Sequence, residues 1–112
     1  MFKKKNSFEK RLKESINIRQ TYPDRIPVIC ERKDSRLPDL DKKKYLVPFD
    51  LTMGQFAYII RRRLRLSPDK AIFFHFRERL VPLCTSMDFL YDECSDEDGF
   101  LYVLYSGENV FG

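Results

Sequence analysis

Between Phe8 and Arg19 the chain places Phe8, Leu12, Ile16 and Arg19 at spacings of three to four, with Glu9, Lys10, Arg11 and Lys13 on the other side. That period predicts an amphipathic helix with the Phe8–Leu12–Ile16 row on its buried side. Ser7 is placed to cap it, but Lys10 stands where a capping box wants Glu, so the cap is half supported. A shorter basic helical turn precedes it. Tyr22-Pro23-Asp24 ends the helix, because proline drives the residue before it out of α geometry.

The period then shifts. Ile26-Pro27-Val28-Ile29-Cys30-Glu31 reads as a strand, with Pro27 tolerable only if its nitrogen faces an unpaired edge or a bulge. Polar residues 32–41 form a loop, and Tyr45-Leu46-Val47-Pro48-Phe49 completes a hairpin. From 55 to 64, Phe56, Ile59, Ile60 and Arg63/Leu64 return to helical spacing. Thr52 is the candidate N-cap, and Arg61–Arg63 sit in the last turns, where the helix dipole favours cations. Short strands follow at 71–76 and 80–81, then a short helix at 86–91. The apolar run at 100–105 has the pattern of a strand buried in the centre of a sheet. From the first strand onward this order is that of the β-grasp, with the last strand beside the first. The expected class is α+β: a mixed four-stranded sheet with a crossing helix, plus two N-terminal helices. The boundaries expected are a helical extension at 1–22 packed on a β-grasp domain at 23–112 with a flexible tail.

Composition changes this picture little. A chain of 112 residues, 43% apolar and 14% aromatic, has room for one domain and material for one core. No stretch approaches the roughly 18 to 20 apolar residues of a membrane span, and the charged start is not followed by a secretory core, so a cytosolic protein is expected. Cys30, Cys84 and Cys94 include no Cys-x-x-Cys pair, which points to reduced thiols rather than a disulfide framework or a zinc site.

Charge is more informative. The net +4 is concentrated at the N-terminus, where Lys3, Lys4, Lys5, Lys10, Arg11, Lys13 and Arg19 face only Glu9 and Glu14 up to Tyr22, and in the runs Lys42–Lys44 and Arg61–Arg63. Such faces suit acidic partners. A nucleic-acid partner is not expected, because the aromatic run at 73–76 carries no adjacent recognition signature. An enzyme is not expected either. The single histidine, His75, sits in an apolar strand on the same face as Phe73, and the scattered glycines form no phosphate loop, so no cofactor is implied.

The segments Tyr22-Pro23-Asp24-Arg25-Ile26-Pro27-Val28-Ile29, Asp41-Lys42-Lys43-Lys44-Tyr45-Leu46-Val47-Pro48, Gly54-Gln55-Phe56 and Leu101-Tyr102-Val103-Leu104-Tyr105-Ser106, with the ending Phe111-Gly112, resemble the autophagy-related protein 8 family of ubiquitin-like modifiers, and within it the GABA-receptor-associated branch. The resemblance runs from Phe8 to Gly112. Two departures stand out. Arg77-Glu78-Arg79 replaces an Asn-Asn turn that tolerates positive φ, and the loop 32–38 is about one residue short.

The resemblance implies conjugation of Gly112 to phosphatidylethanolamine by ATP-dependent activating and conjugating enzymes. A cysteine protease processes or deconjugates such proteins. Relatives commonly carry residues after this glycine; whether the native product ends here is left open. It also implies a groove that receives aromatic-x-x-aliphatic motifs of cargo receptors as an added strand. Glu14, Ile18, Pro27, Ile29, Lys44, Leu46 and Phe100 would line the aromatic pocket. Tyr45, Val47, Pro48, Leu51, Phe56, Ile59 and Ile60 would line the aliphatic pocket. Arg25, Lys42, Lys44 and Arg63 would meet the peptide's acidic flank. Spacing alone reads Phe56, Ile59, Ile60 and Phe100 as core; the resemblance makes them pocket candidates. Microtubules or anionic membrane at the basic N-terminal helices are further partners in keeping with the family. The location implied is the cytoplasm, and the autophagosome membrane once lipidated. A non-conjugated trafficking or microtubule-associated peptide-binding module is the alternative.

Overall fold

A computed structural model describes residues 1–77 and 79–107, with Leu80 as backbone only. Glu78 and the expected conjugation site Gly112 lie outside the described residues. The elements are α1 (Phe2–Lys5), α2 (Phe8–Thr21), β1 (Arg25–Arg32), β2 (Lys44–Pro48), α3 (Met53–Leu64), β3 (Phe73–Phe76), β4 (Arg79–Leu80), α4 (Met87–Cys94) and β5 (Leu101–Ser106). The strands lie in the order β2-β1-β5-β3-β4. β1 runs antiparallel to β2 and parallel to β5, and β3 runs antiparallel to β5. This is the mixed four-stranded sheet of a ubiquitin-like α+β fold, extended at one edge by the two-residue β4.

The register accounts for Pro27. Cys30 donates its backbone N–H to the Lys43 carbonyl at 2.8 Å, so alternation turns the Pro27 nitrogen away from β2 and toward β5. Pairing with β5 begins only at Val28. A proline therefore sits in a strand with neighbours on both sides without removing a ladder bond.

β1 is buried on both faces, and β5 is buried on one and partly buried on the other. Ile26, Val28 and Cys30, with Leu101, Val103 and Tyr105, pack into the main core against Met53, Phe56, Ile60 and Leu64 of α3 and Met87 and Leu90 of α4. On the opposite face Ile29, Phe100 and Ile18 of α2 form a second cluster, joined by the partly buried Phe2, Leu46 and Tyr102. The sheet is thus a sandwich filling between α3/α4 and α1/α2.

α3 forms where the apolar spacing and the cap agree. Gln55 N donates to Thr52 Oγ1 at 3.2 Å, and Gln55 Oε1 accepts from Thr52 N at 2.9 Å, a complete capping box. Its other end closes on Arg65 in the left-handed region at φ 55°, where Arg61 donates to the carbonyls of Ser67 and Lys70.

α2 corrects an expectation. Its buried residues are Arg11, Ser15 and Ile18, while Phe8 and Ile16 are 43% and 48% exposed. Two polar groups face inward because each finds a partner there. Arg11 Nη1 pairs with Asp98 Oδ2 at 2.5 Å, and the Ser15 hydroxyl donates to the Asp98 carbonyl. Asp98 has no exposed surface and also accepts from Tyr102 Oη at 2.5 Å and the Phe100 amide at 2.9 Å. Gly99 makes the close approach feasible: at φ +89° a Cβ there would lie 2.3 Å from Ser15 Oγ. The turn after β3 places Arg77 at φ 49°, the conformation the asparagines it replaces would tolerate better.

Candidate functional site

Among the described residues β2 is an edge strand, paired on one side only. The register that points Tyr45 and Val47 at β1 leaves the backbone of Lys44 and Leu46 directed away from it. An edge of this kind is a template for a further strand. The Arg25 guanidinium reaches the Leu46 carbonyl at 3.4 Å and so stands at this edge.

Alternation along β2 sorts the expected site residues. Tyr45 and Val47 face the main core and are buried, whereas Lys44 and Leu46 are partly exposed and Pro48 is exposed. On the α2 face the structure brings Ile18, Ile29, Phe100 and Leu46 into one cluster. Pro27, two register steps from Lys44's partner Ile29, pairs with Leu46. The Lys44 ammonium bonds the Glu14 carboxylate, bridging β2 to α2 across the mouth of this cluster. Six of the seven residues expected around a peptide aromatic are therefore joined by contact or pairing, with the seventh, Glu14, tied in through Lys44. They do not form an open cavity: Ile29 and Phe100 are 0% exposed and Ile18 8%.

The aliphatic pocket needs a correction as well. Tyr45, Val47, Phe56 and Ile60 are all core residues with 6% exposure or less, so they do not line an open pocket. What reaches the surface is Pro48, the partly buried Leu51 and Ile59, which is 38% exposed. The reason is helical geometry. Phe56 and Ile60 are four apart and point at the sheet with Met53 and Leu64, and Ile59 is rotated out of that row toward Arg63.

Basic side chains stand beside β2. Arg63 Nη2 lies 3.2 Å from Asp41 Oδ1, and its guanidinium holds the Asp41 carboxyl below its ordinary range. Lys42 and Arg63 stand 5.2 and 6.0 Å from the Tyr45 ring centroid. The Tyr45 hydroxyl donates to the Lys42 carbonyl at 2.7 Å, and burial pushes the phenol up to about 12. Arg25, Lys42 and Arg63 thus flank β2 with cations exposed to solvent.

His75 is a structural residue. It is 1% exposed, its Nε2 lies 3.0 Å from Ser106 Oγ, and burial followed by the nearby Lys33 charge lowers its pKa. Among the described residues no cluster of His, Cys, Asp and Glu could hold a metal ion, and no helix is long and apolar enough to cross a membrane.

Residues 10–112 match the family model described as Autophagy protein Atg8 ubiquitin like. The chain belongs to the Atg8 family. It is 60% identical to Autophagy-related protein 8 of Mycosarcoma maydis, over 99% of this chain and 95% of the relative. The same identity holds for the Schizosaccharomyces pombe protein of that name, over 99% and 93%. The crystal structure of Trypanosoma brucei ATG8 superposes with a TM-score of 0.90 at 41% identity, covering 99% of this chain and 97% of the other. Atg8 proteins are ubiquitin-like proteins of autophagy, so the sheet edge and the apolar cluster beside it sit on a ubiquitin-like fold. Sequence reasoning missed the Asp98 hub that fixes α2 beside this site. Asp98 reads as one more acid in a solvated run, and the signals available were the following Gly99 and the inward-spaced Ser15.

Proposed function

We propose that the chain is a ubiquitin-like modifier joined through the Gly112 carboxyl to phosphatidylethanolamine, and that in this form it acts as an adaptor on autophagosome membranes. Activating and conjugating enzymes prepare the glycine, and a cysteine protease processes or releases it. Its β2 edge takes up aromatic-x-x-aliphatic motifs of cargo receptors. The observation that carries the adaptor part is the one-sided pairing of β2, with the Ile18–Ile29–Phe100 cluster on one face of it, the main core on the other, and Arg25, Lys42, Lys44 and Arg63 around it. Main-chain bonds from Lys44 and Leu46 would hold the peptide as a strand, and side-chain burial would select the motif. The cations would speed association with an acidic flank.

Family membership supports the conjugation part. One phosphatidylethanolamine brings two acyl chains, which is the number stable anchoring takes. In this reading residues 1–22 are a packed extension of the ubiquitin-like domain at 23–112, and the protein is cytoplasmic until lipidated. The test is reconstitution with family activating and conjugating enzymes, ATP and phosphatidylethanolamine vesicles, read by mass spectrometry of the intact chain. A lipid adduct that disappears when Gly112 is deleted is the expected result. No adduct, with enzymes active on another family member, would contradict conjugation.

A further inference from the structure

Ile29 and Phe100, expected to touch a peptide aromatic, have no exposed surface. A ring arriving from solution cannot reach them until something moves. The groups packed over that cluster are Leu46 on β2, Tyr102 on β5 and Phe2 on α1. Leu46 and Tyr102 belong to paired strands of the sheet. Phe2 belongs to a four-residue helix with no buried residue of its own. A helix that short has no independent stability and holds only by its contacts.

Those contacts are few and specific. The Phe2 ring meets Phe100 edge-on with centroids 5.3 Å apart and lies 6.4 Å from Tyr102. Its backbone N–H donates to Glu31 Oε2 at 2.8 Å. Lys3 Nζ lies 2.6 Å from Asp96 Oδ1 and 4.6 Å from the Tyr102 ring centroid. Lys44 Nζ, which also bonds Glu14, stands 5.7 Å from the centre of the Phe2 ring. An aromatic side chain of this chain thus already occupies the surroundings proposed for a ligand's aromatic, beside the same lysine.

We propose that α1 is a self-ligand: Phe2 covers the Ile18–Ile29–Phe100 cluster and must leave before an acidic peptide's aromatic residue can enter. This rests on the peptide-binding reading and adds its regulation. Whatever frees α1 from Glu31 and Asp96 raises affinity, because apparent affinity falls in proportion to the fraction of molecules in the open state.

The test is calorimetric titration of the full chain with a synthetic peptide, Asp-Asp-Asp-Trp-Glu-Glu-Leu, beside the variants Phe2→Ala and Lys3→Ala. Phe2→Ala is expected to bind about three- to tenfold tighter, the upper figure corresponding to a tenth of the molecules being open. Lys3→Ala, which keeps the ring and loses its fastening, is expected to shift affinity the same way by less. In the wild type the nuclear Overhauser contact between the Phe2 and Phe100 rings is expected to vanish at saturation. Wild-type binding with neither variant tighter, or with the Phe2–Phe100 contact intact at saturation, overturns the proposal and leaves the peptide site standing. Absence of binding by all three proteins contradicts the peptide-binding reading itself and the self-ligand with it.

Discussion

Gly99 shows how one residue positions a whole helix against the sheet. Its φ of +89° and the 2.3 Å approach a Cβ would make to Ser15 Oγ leave Ala strained in both backbone and packing. Gly99→Ala is expected to lower stability by about 2 kcal/mol or more, checked by urea denaturation at constant m-value. His75 gives a pH signature. Its folded pKa lies below its ordinary value, so the unfolded chain binds the proton more readily and stability drops as pH falls below about 6.5. His75→Gln is expected to flatten that part of the profile between about pH 7 and 5.5, above the range of ordinary carboxylates, as read from denaturation midpoints. Spacing gives no sign of a catalytic role for His75, and the contact with Ser106 is part of what holds it in place.

At the scale of elements, α3 was legible in full, whereas in α2 the span was legible and the buried face was not. In α3 the capping residue, the apolar spacing and the arginine-rich end all point the same way, and the observed helix extends the expected 55–64 only back to Met53. In α2 the apolar row Phe8–Leu12–Ile16 competes with a polar row that finds buried partners, and the polar row faces the sheet. Hydrophobic periodicity cannot register that, because the decisive partner, Asp98, is 87 positions away from Arg11. Two substitutions separate the readings. Ile18→Ala is expected to cost about 2 kcal/mol or more, and Ile16→Gln to stay within about 0.5 kcal/mol, by denaturant titration. Equal costs would return the helix to its expected face. The same reasoning applies to the expected aliphatic pocket: spacing alone already reads Phe56 and Ile60 as core, and the resemblance named as lining what is core.

The whole molecule is a modifier fold whose open edge and basic rim lie on one side. Arg25, Lys42, Lys44 and Arg63 are exposed or partly exposed, so the attraction proposed between them and an acidic peptide is screened over about 10 Å at 0.1 M salt. Raising salt from about 0.05 to 0.5 M is expected to weaken peptide affinity several-fold, mainly through the association rate, as stopped-flow fluorescence would record. The strand order and the last-beside-first pairing were readable from the succession of elements, since a β-grasp follows from few topological choices. The closed state of the aromatic cluster was not, because it depends on where a four-residue helix docks.

The most direct test of the central claim is a nuclear magnetic resonance titration of the isotopically labelled chain with the acidic tryptophan peptide. The account predicts shifts centred on the backbone amides of Lys44 and Leu46, with cross-strand contacts from the peptide to β2 and from its tryptophan ring to Phe100. Shifts centred elsewhere, or contacts that leave the β2 edge untouched, would contradict it.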